Sequence, residues 1–153
     1  MQTPPPQLNL PAAPLSLRSG SAGVEVHDLL RRKWVALTSE EWVRQHFVHY
    51  LISVLGFPAS LMGNEVGIRL NSTLRRCDTV VYSSSLEPLM IVEYKAPAVA
   101  IDQKVFDQIM RYNVVLRVPY LVISNGMRHY CIKFDSDSGK YKLLTRFPRY
   151  EEL

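Results

Sequence analysis

The chain predicts an α/β domain built on a mixed β-sheet, from three observations. Short runs rich in Val, Ile and Tyr recur between Glu65 and Leu144, bounded by Gly, Pro, Asn or Ser. Two segments of helical periodicity interrupt them. The step from the run ending at Glu93, through the second helix, to the run at Val122 is long enough for a right-handed crossover between parallel strands.

The first helix is expected to begin at Thr38-Ser39-Glu40-Glu41, where Thr38 and Glu41 have capping-box spacing. Val43, Phe47, Tyr50, Leu51, Val54 and Leu55 then recur at helical period, and Gly56 and Pro58 end it. A strand follows from about Glu65 to Leu70, with Asn71-Ser72 as the turn into a strand through Asp78. A third strand carries Glu93 between Pro88 and Pro97. Short turns join these three, so they should form an antiparallel meander. The second helix fits Asp102 to about Leu116, with Val105, Phe106, Ile109 and Tyr112 inward and Lys104, Gln108 and Arg111 outward. On this reading Tyr112 packs the helix on the sheet. Pro119 to Ile123 is a continuous apolar run that reads as a buried strand, and Asn125-Gly126 turns it into Arg128 to Phe134. A short strand from Tyr141 to Leu144 completes a C-terminal hairpin.

Residues 1–23 hold five of the ten prolines and little charge, so an extended or disordered tail is expected, with residues 24–153 as the domain. Leu8, Leu10, Leu15 and Leu17 alternate in part and offer a surface for docking. At 153 residues, 47% hydrophobic and 21% charged, the chain can bury a real core. A net charge of +4 favours polyanions only weakly. Cys77 and Cys131 sit in apolar runs, with no CxxC and no disulfide framework, which suits a reducing compartment. No cleavable leader or membrane-spanning run is read, so a cytoplasmic location is expected.

The chemistry concentrates in Arg76-Cys77-Asp78-Thr79-Val80-Val81-Tyr82 and Met90-Ile91-Val92-Glu93-Tyr94-Lys95. Side chains alternate along a strand, so Glu93 and Lys95 share a face, roughly 7 Å apart. A hairpin pairing Tyr82 with Leu89 sets Asp78 opposite Glu93. Facing carboxylates destabilise a ladder unless a cation lies between them, and oxygen ligands select a hard one.

Asp78, the Glu93-x-Lys95 step and Gln108-x-x-x-Tyr112 on the next helix together resemble the PD-(D/E)XK nuclease superfamily. Trp34 to about Asp135 is most similar to the family described as type I restriction enzyme R protein N-terminus. The resemblance implies a restriction-endonuclease-like core (αβββαβ) in a stand-alone relative, since no helicase motor is read here. It implies that Asp78 and Glu93 hold Mg²⁺ or Mn²⁺, with the Tyr94 backbone carbonyl as a further ligand. Lys95 and Gln108 would serve hydrolysis of a phosphodiester. Arg111, Lys104, Arg75 and Arg76 are the candidate nucleic-acid contacts. DNA, restriction or helicase subunits, and a second copy of the chain are the partners implied. Cys77 stands where the superfamily has its naming proline, and nothing resembles a target-recognition module.

Plainer readings stand beside these. Glu93 and Lys95 could be a solvated pair, Asp107 and Arg111 an ordinary i, i+4 pair, and Glu41 a helix cap rather than a further ligand. Glu65 is a weaker acidic candidate. His27, His46, His49 and His129 lack ligand spacing. Asp135 to Gly139 reads as a turn, since a calcium loop needs its Gly and terminal Glu elsewhere. The rival functions are a catalytically silent nucleic-acid-binding or subunit-docking module, and an interaction protein acting through the Pro-rich segment.

Overall fold

A computed structural model describes residues 4–70 and 72–153. Strands β1 (Leu17–Gly20), β2 (Gly23–Asp28) and β3 (Lys33–Ala36) form a small antiparallel sheet. Helix α1 (Ser39–Ser53) follows. Then come β4 (Met62–Leu70), β5 (Thr73–Tyr82), β6 (Pro88–Tyr94), helix α2 (Gln103–Asn113), β7 (Tyr120–Ser124), β8 (His129–Asp135) and β9 (Lys140–Leu143). Strands β4 to β9 make one six-stranded sheet in sequence order. All its neighbours are antiparallel except β6 and β7, which run parallel through the α2 crossover. The expected meander, crossover and C-terminal hairpin are therefore present in a mixed sheet.

Alternation along the strands divides the core between two faces. Val81, Met90, Val92, Tyr94, Val122 and Cys131 pack with Val43, Phe47, Val48 and Leu51 of α1. Val80, Ile91, Leu121, Ile123 and Ile132 pack with Ile109 of α2 and with Leu116 and Val118 beyond it. Every residue of β7 is buried, as its unbroken apolar run requires of a central strand covered on both faces. Both cysteines are buried and free. No helix among the described residues is long and apolar enough to cross a membrane.

Within the segment expected as an extended or disordered tail, residues 4–16 carry no helix or strand and are tied down on the domain. Leu8 is buried in the α1-side core, the Trp42 indole donates to Pro6 O at 2.9 Å, and Leu17–Gly20 forms β1. The first strand of the meander begins at Met62 rather than near Glu65. The expected turn at Asn71-Ser72 includes Asn71, which lies outside the described residues.

Candidate functional site

The register decides where the acids fall. Thr79 pairs with Val92, Val80 with Ile91 and Val81 with Met90, so one further step along β5 and β6 sets Asp78 opposite Glu93. The hairpin closes with a shift between Val81 and Tyr82, so that Tyr82 meets Pro88 rather than Leu89. The irregularity lies at the turn end and leaves the acid pair aligned. Both acids share the α2 face with Val80 and Ile91 two residues away, and there they line a cleft of about 270 Å³ with Glu40, Tyr94, Lys95, Gln108, Ile109, Tyr112 and Asn113.

Asp78 is held on two sides. Its Oδ2 accepts from the Tyr94 backbone N–H at 2.9 Å, and its own carbonyl accepts from Arg44 Nη1 at 2.8 Å. Glu93 is less well served. Its Oε1 is enclosed and has no hydrogen-bond partner. Burial, and then the charge of the opposed Asp78, push the Glu93 carboxyl up to about 9, while the Lys95 charge pulls it back. The Cys77 thiol is pushed up to about 12 by burial and then by the same two acids, so it is no nucleophile near neutral pH. A buried carboxyl with an unsatisfied oxygen against a second carboxylate is costly. A hard divalent cation meets that demand, and the donor set fits one: two carboxylates in a cleft with the Tyr94 backbone alongside. No group of three or more His, Cys, Asp or Glu side chains is placed to hold a metal together among the described residues, so direct ligation would fall to this pair with backbone or solvent oxygen.

Glu41 does not join the cleft. Its Oε1 accepts from Arg31 Nη2 at 2.7 Å and its Oε2 from Arg44 Nε at 2.9 Å and Gln45 Nε2 at 3.0 Å. With its backbone N–H donating to Thr38 Oγ1, Glu41 is both helix cap and centre of a buried charge network, so its oxygens are not free for a metal. The neighbour Glu40 is the α1 acid that lines the cleft. Glu65 sits at φ +56°, between Asn64 paired with Thr79 and Val66 paired with Cys77, where the ladder lacks a rung. There its carboxylate takes Arg44 Nη2 at 2.9 Å and Arg76 Nε at 3.0 Å. Burial opposes the charge on both Arg44 and Glu65, yet their hydrogen bonds to each other and to Glu41 and Arg76 win. Arg44 is held above its ordinary value and Glu65 below.

The network continues inward. Arg31 Nε donates to Asp28 Oδ2 at 2.6 Å, Asn64 Nδ2 to the same oxygen at 2.9 Å, and Thr79 Oγ1 to Asn64 Oδ1 at 2.6 Å. Thr79 also meets the Tyr94 hydroxyl at 2.9 Å. The chain of contacts thus runs from β2 to the residues that flank and support Asp78.

Among the candidate nucleic-acid contacts, Lys104 and Arg111 line a second, wider cleft of about 580 Å³ that shares Gln108 with the first. Asp107 takes its hydrogen bond from Gln103 at 2.7 Å, and no ion pair joins it to Arg111 among the described residues. Arg76 is bound to Glu65 at an exposed site. Arg75 instead lies over the Tyr112 ring, 3.8 Å from its centroid. Tyr112 is not the buried packing residue expected, since it is 46% exposed and lines the acid cleft. Asn113 is buried there with Nδ2 donating to Ile109 O at 2.9 Å and Oδ1 unpartnered. No sequence signal marks Arg44 or Asn113, since both are polar residues on helix positions that periodicity leaves unremarkable.

A family model described as type I restriction enzyme R protein N terminus matches residues 39–148, more than two-thirds of the chain. The chain belongs to that family. The R-protein N-terminus match begins at α1 and ends beyond β9, so it takes in every residue of the acid cleft. Among solved structures, a fragment described as an HsdR subunit of a type I restriction enzyme from Vibrio vulnificus YJ016 shares the fold. It has TM-score 0.51 and 21% identity, over 78% of this chain and 25% of that one. This chain therefore spans about a quarter of that relative's length. No curated protein matches the chain.

Proposed function

We propose that this R-protein N-terminal family member is a PD-(D/E)XK-type nuclease module that hydrolyses phosphodiester bonds in DNA with Mg²⁺ or Mn²⁺. The observation that carries the reading is Glu93, opposite Asp78 in the register with an enclosed, unpartnered Oε1, with Lys95 and Gln108 in the same cleft. Asp78, Glu93 and the Tyr94 carbonyl would hold the cation, and Glu40, rather than Glu41, would support it from α1 through solvent. When bound there, the cation supplies positive charge against the phosphate and promotes ionisation of water.

The protein's own groups do the rest. Arg44 and the Tyr94 N–H fix Asp78, so no reorganisation is needed when substrate arrives. The Lys95 ammonium faces charge that develops on the non-bridging phosphate oxygens. Gln108 orients the attacking water, whose oxygen bonds to phosphorus as the ester P–O bond breaks; the water's proton passes to solvent and the leaving oxygen takes one up from solvent. Lys104 and Arg111 hold the flanking phosphates, with Arg111 suited to a bidentate contact. Restriction or helicase subunits and a second copy of the chain are the partners this reading admits, and the two buried free thiols suit the cytoplasm.

The test is incubation with plasmid and linear DNA in Mg²⁺ or Mn²⁺, alongside Asp78→Ala and Lys95→Ala. Cleavage should be lost in both variants, and cleavage surviving in either one would place the activity elsewhere. Calorimetric titration with Mn²⁺ separates the rival. A chain that binds DNA with steep salt dependence but takes up no Mn²⁺ is a binding or docking module of the same fold.

A further inference from the structure

Tyr112 presents an aromatic surface beside the acids. The residue is 46% exposed and walls the cleft that holds Glu40, Asp78, Glu93 and Lys95. Arg75, from β5, lies 3.8 Å from the ring centroid. The Arg75 Nε is enclosed with no hydrogen-bond partner, so contact with the ring, rather than a hydrogen bond at that nitrogen, accounts for its position. A cation on an aromatic ring stiffens it, and a stiff exposed ring costs little entropy when a flat ligand stacks on it.

We infer that Tyr112, backed by Arg75, is a stacking platform for one unpaired nucleobase next to the acid pair. The inference rests on reading the cleft as a nucleic-acid site and specifies its substrate: a single-stranded, flapped or frayed segment. Bases within a duplex have both faces occupied by their neighbours, so only an unstacked base can use such a ring. The charges in the cleft agree. With no cation bound, Glu40 and Asp78 disfavour a bare phosphate, whereas an uncharged base meets no such penalty at Tyr112. The backbone has its own route, because Gln108 joins this cleft to the one lined by Lys104 and Arg111.

The experiment uses the full chain with a short single-stranded oligonucleotide carrying 2-aminopurine, and its duplex, in Ca²⁺ to hold cleavage in check. Single strand should bind with quenched emission and duplex more weakly. Tyr112→Leu should weaken single-strand binding by roughly tenfold or more and abolish the quench without moving duplex affinity. Tyr112→Trp should preserve both, and Arg75→Leu should reduce the quench, which tests the platform even where the Leu variant at 112 does not fold. Equal single-strand affinity and emission in wild type, Tyr112→Leu and Arg75→Leu would overturn the platform, as would a wild-type preference for duplex. A chain that quenches 2-aminopurine yet cuts nothing in Mn²⁺ keeps the platform and loses the hydrolase. Cleavage indifferent to Tyr112 does the reverse.

Discussion

Glu93 carries the sharpest single-residue consequence. Its carboxyl is pushed up to about 9 by burial and then by the Asp78 charge, whereas in the unfolded chain it titrates near 4.5. Between those values the folded state binds a proton that the unfolded state does not, so stability of the metal-free protein falls as pH rises from about 4.5 towards 9. Glu93→Gln imitates the protonated group permanently. Thermal melts without metal should therefore show little difference between wild type and Glu93→Gln at pH 5, and a clearly higher Tm for the variant at pH 9. Equal melts at both values would mean that the carboxyl is not strained. The same proton must leave before a cation binds, so wild-type Mn²⁺ affinity should strengthen as pH rises across this range, and Glu93→Gln should bind weakly throughout. The opposed acids and Lys95 were legible in the sequence because strand alternation and hairpin register fix them. The fate of the proton was not, because it depends on how tightly α2 closes over the pair.

At the scale of elements, α1 separates two adjacent acids into different roles. Successive helix positions diverge by about 100°, so Glu40 is left at the cleft while Glu41 is buried against Arg31, Arg44 and Gln45. Glu41→Ala leaves two guanidinium groups short of a partner and should cost about 3–5 kcal/mol. Glu40→Gln should leave the melting temperature unchanged and weaken Mn²⁺ binding. Reversed results, with Glu41→Ala stable and Mn²⁺-deficient, would restore Glu41 as the ligand. The capping-box spacing made the start of α1 legible, and Thr38 does cap Glu41. The side facing the sheet was harder to read, since Arg44, Gln45 and His46 are buried on α1 and their polarity disguises an inward surface. Gln45 and His46 bond within α1, to Glu41 and to the Trp42 carbonyl, whereas Arg44 reaches the distant Asp78 carbonyl and Glu65, which lies on β4 with a left-handed backbone that no local pattern announces.

The whole molecule depends on a segment whose composition suggests disorder. Proline-rich stretches lack the alternation that marks a strand, so Leu17–Gly20 was legible only through its pairing with β2, and Leu8 only through the cavity it fills. That cavity is shaped by Gly126, which has φ +84° in the turn between β7 and β8; a Cβ there would come within 2.7 Å of Leu8. Asn9 N donates to Gly126 O at 2.8 Å, and the His129 ring reaches Asn9 O at 2.9 Å. The N-terminal segment thereby bridges α1 and the turn that precedes β8. Leu8→Ala should cost about 2–5 kcal/mol, as for other buried leucines. Gly126→Ala should destabilise comparably, because it adds backbone strain to a clash with Leu8. Deleting residues 1–12 should lower the melting temperature at least as far as Leu8→Ala, since it removes the Pro6 and Asn9 hydrogen bonds as well. Chemical denaturation of the three variants checks this, with an unchanged midpoint in the deletion as the overturning result. Oligomeric state, followed by light scattering, should not change on deletion, because these contacts are made within one chain; dissociation would show instead that the segment reaches a second copy.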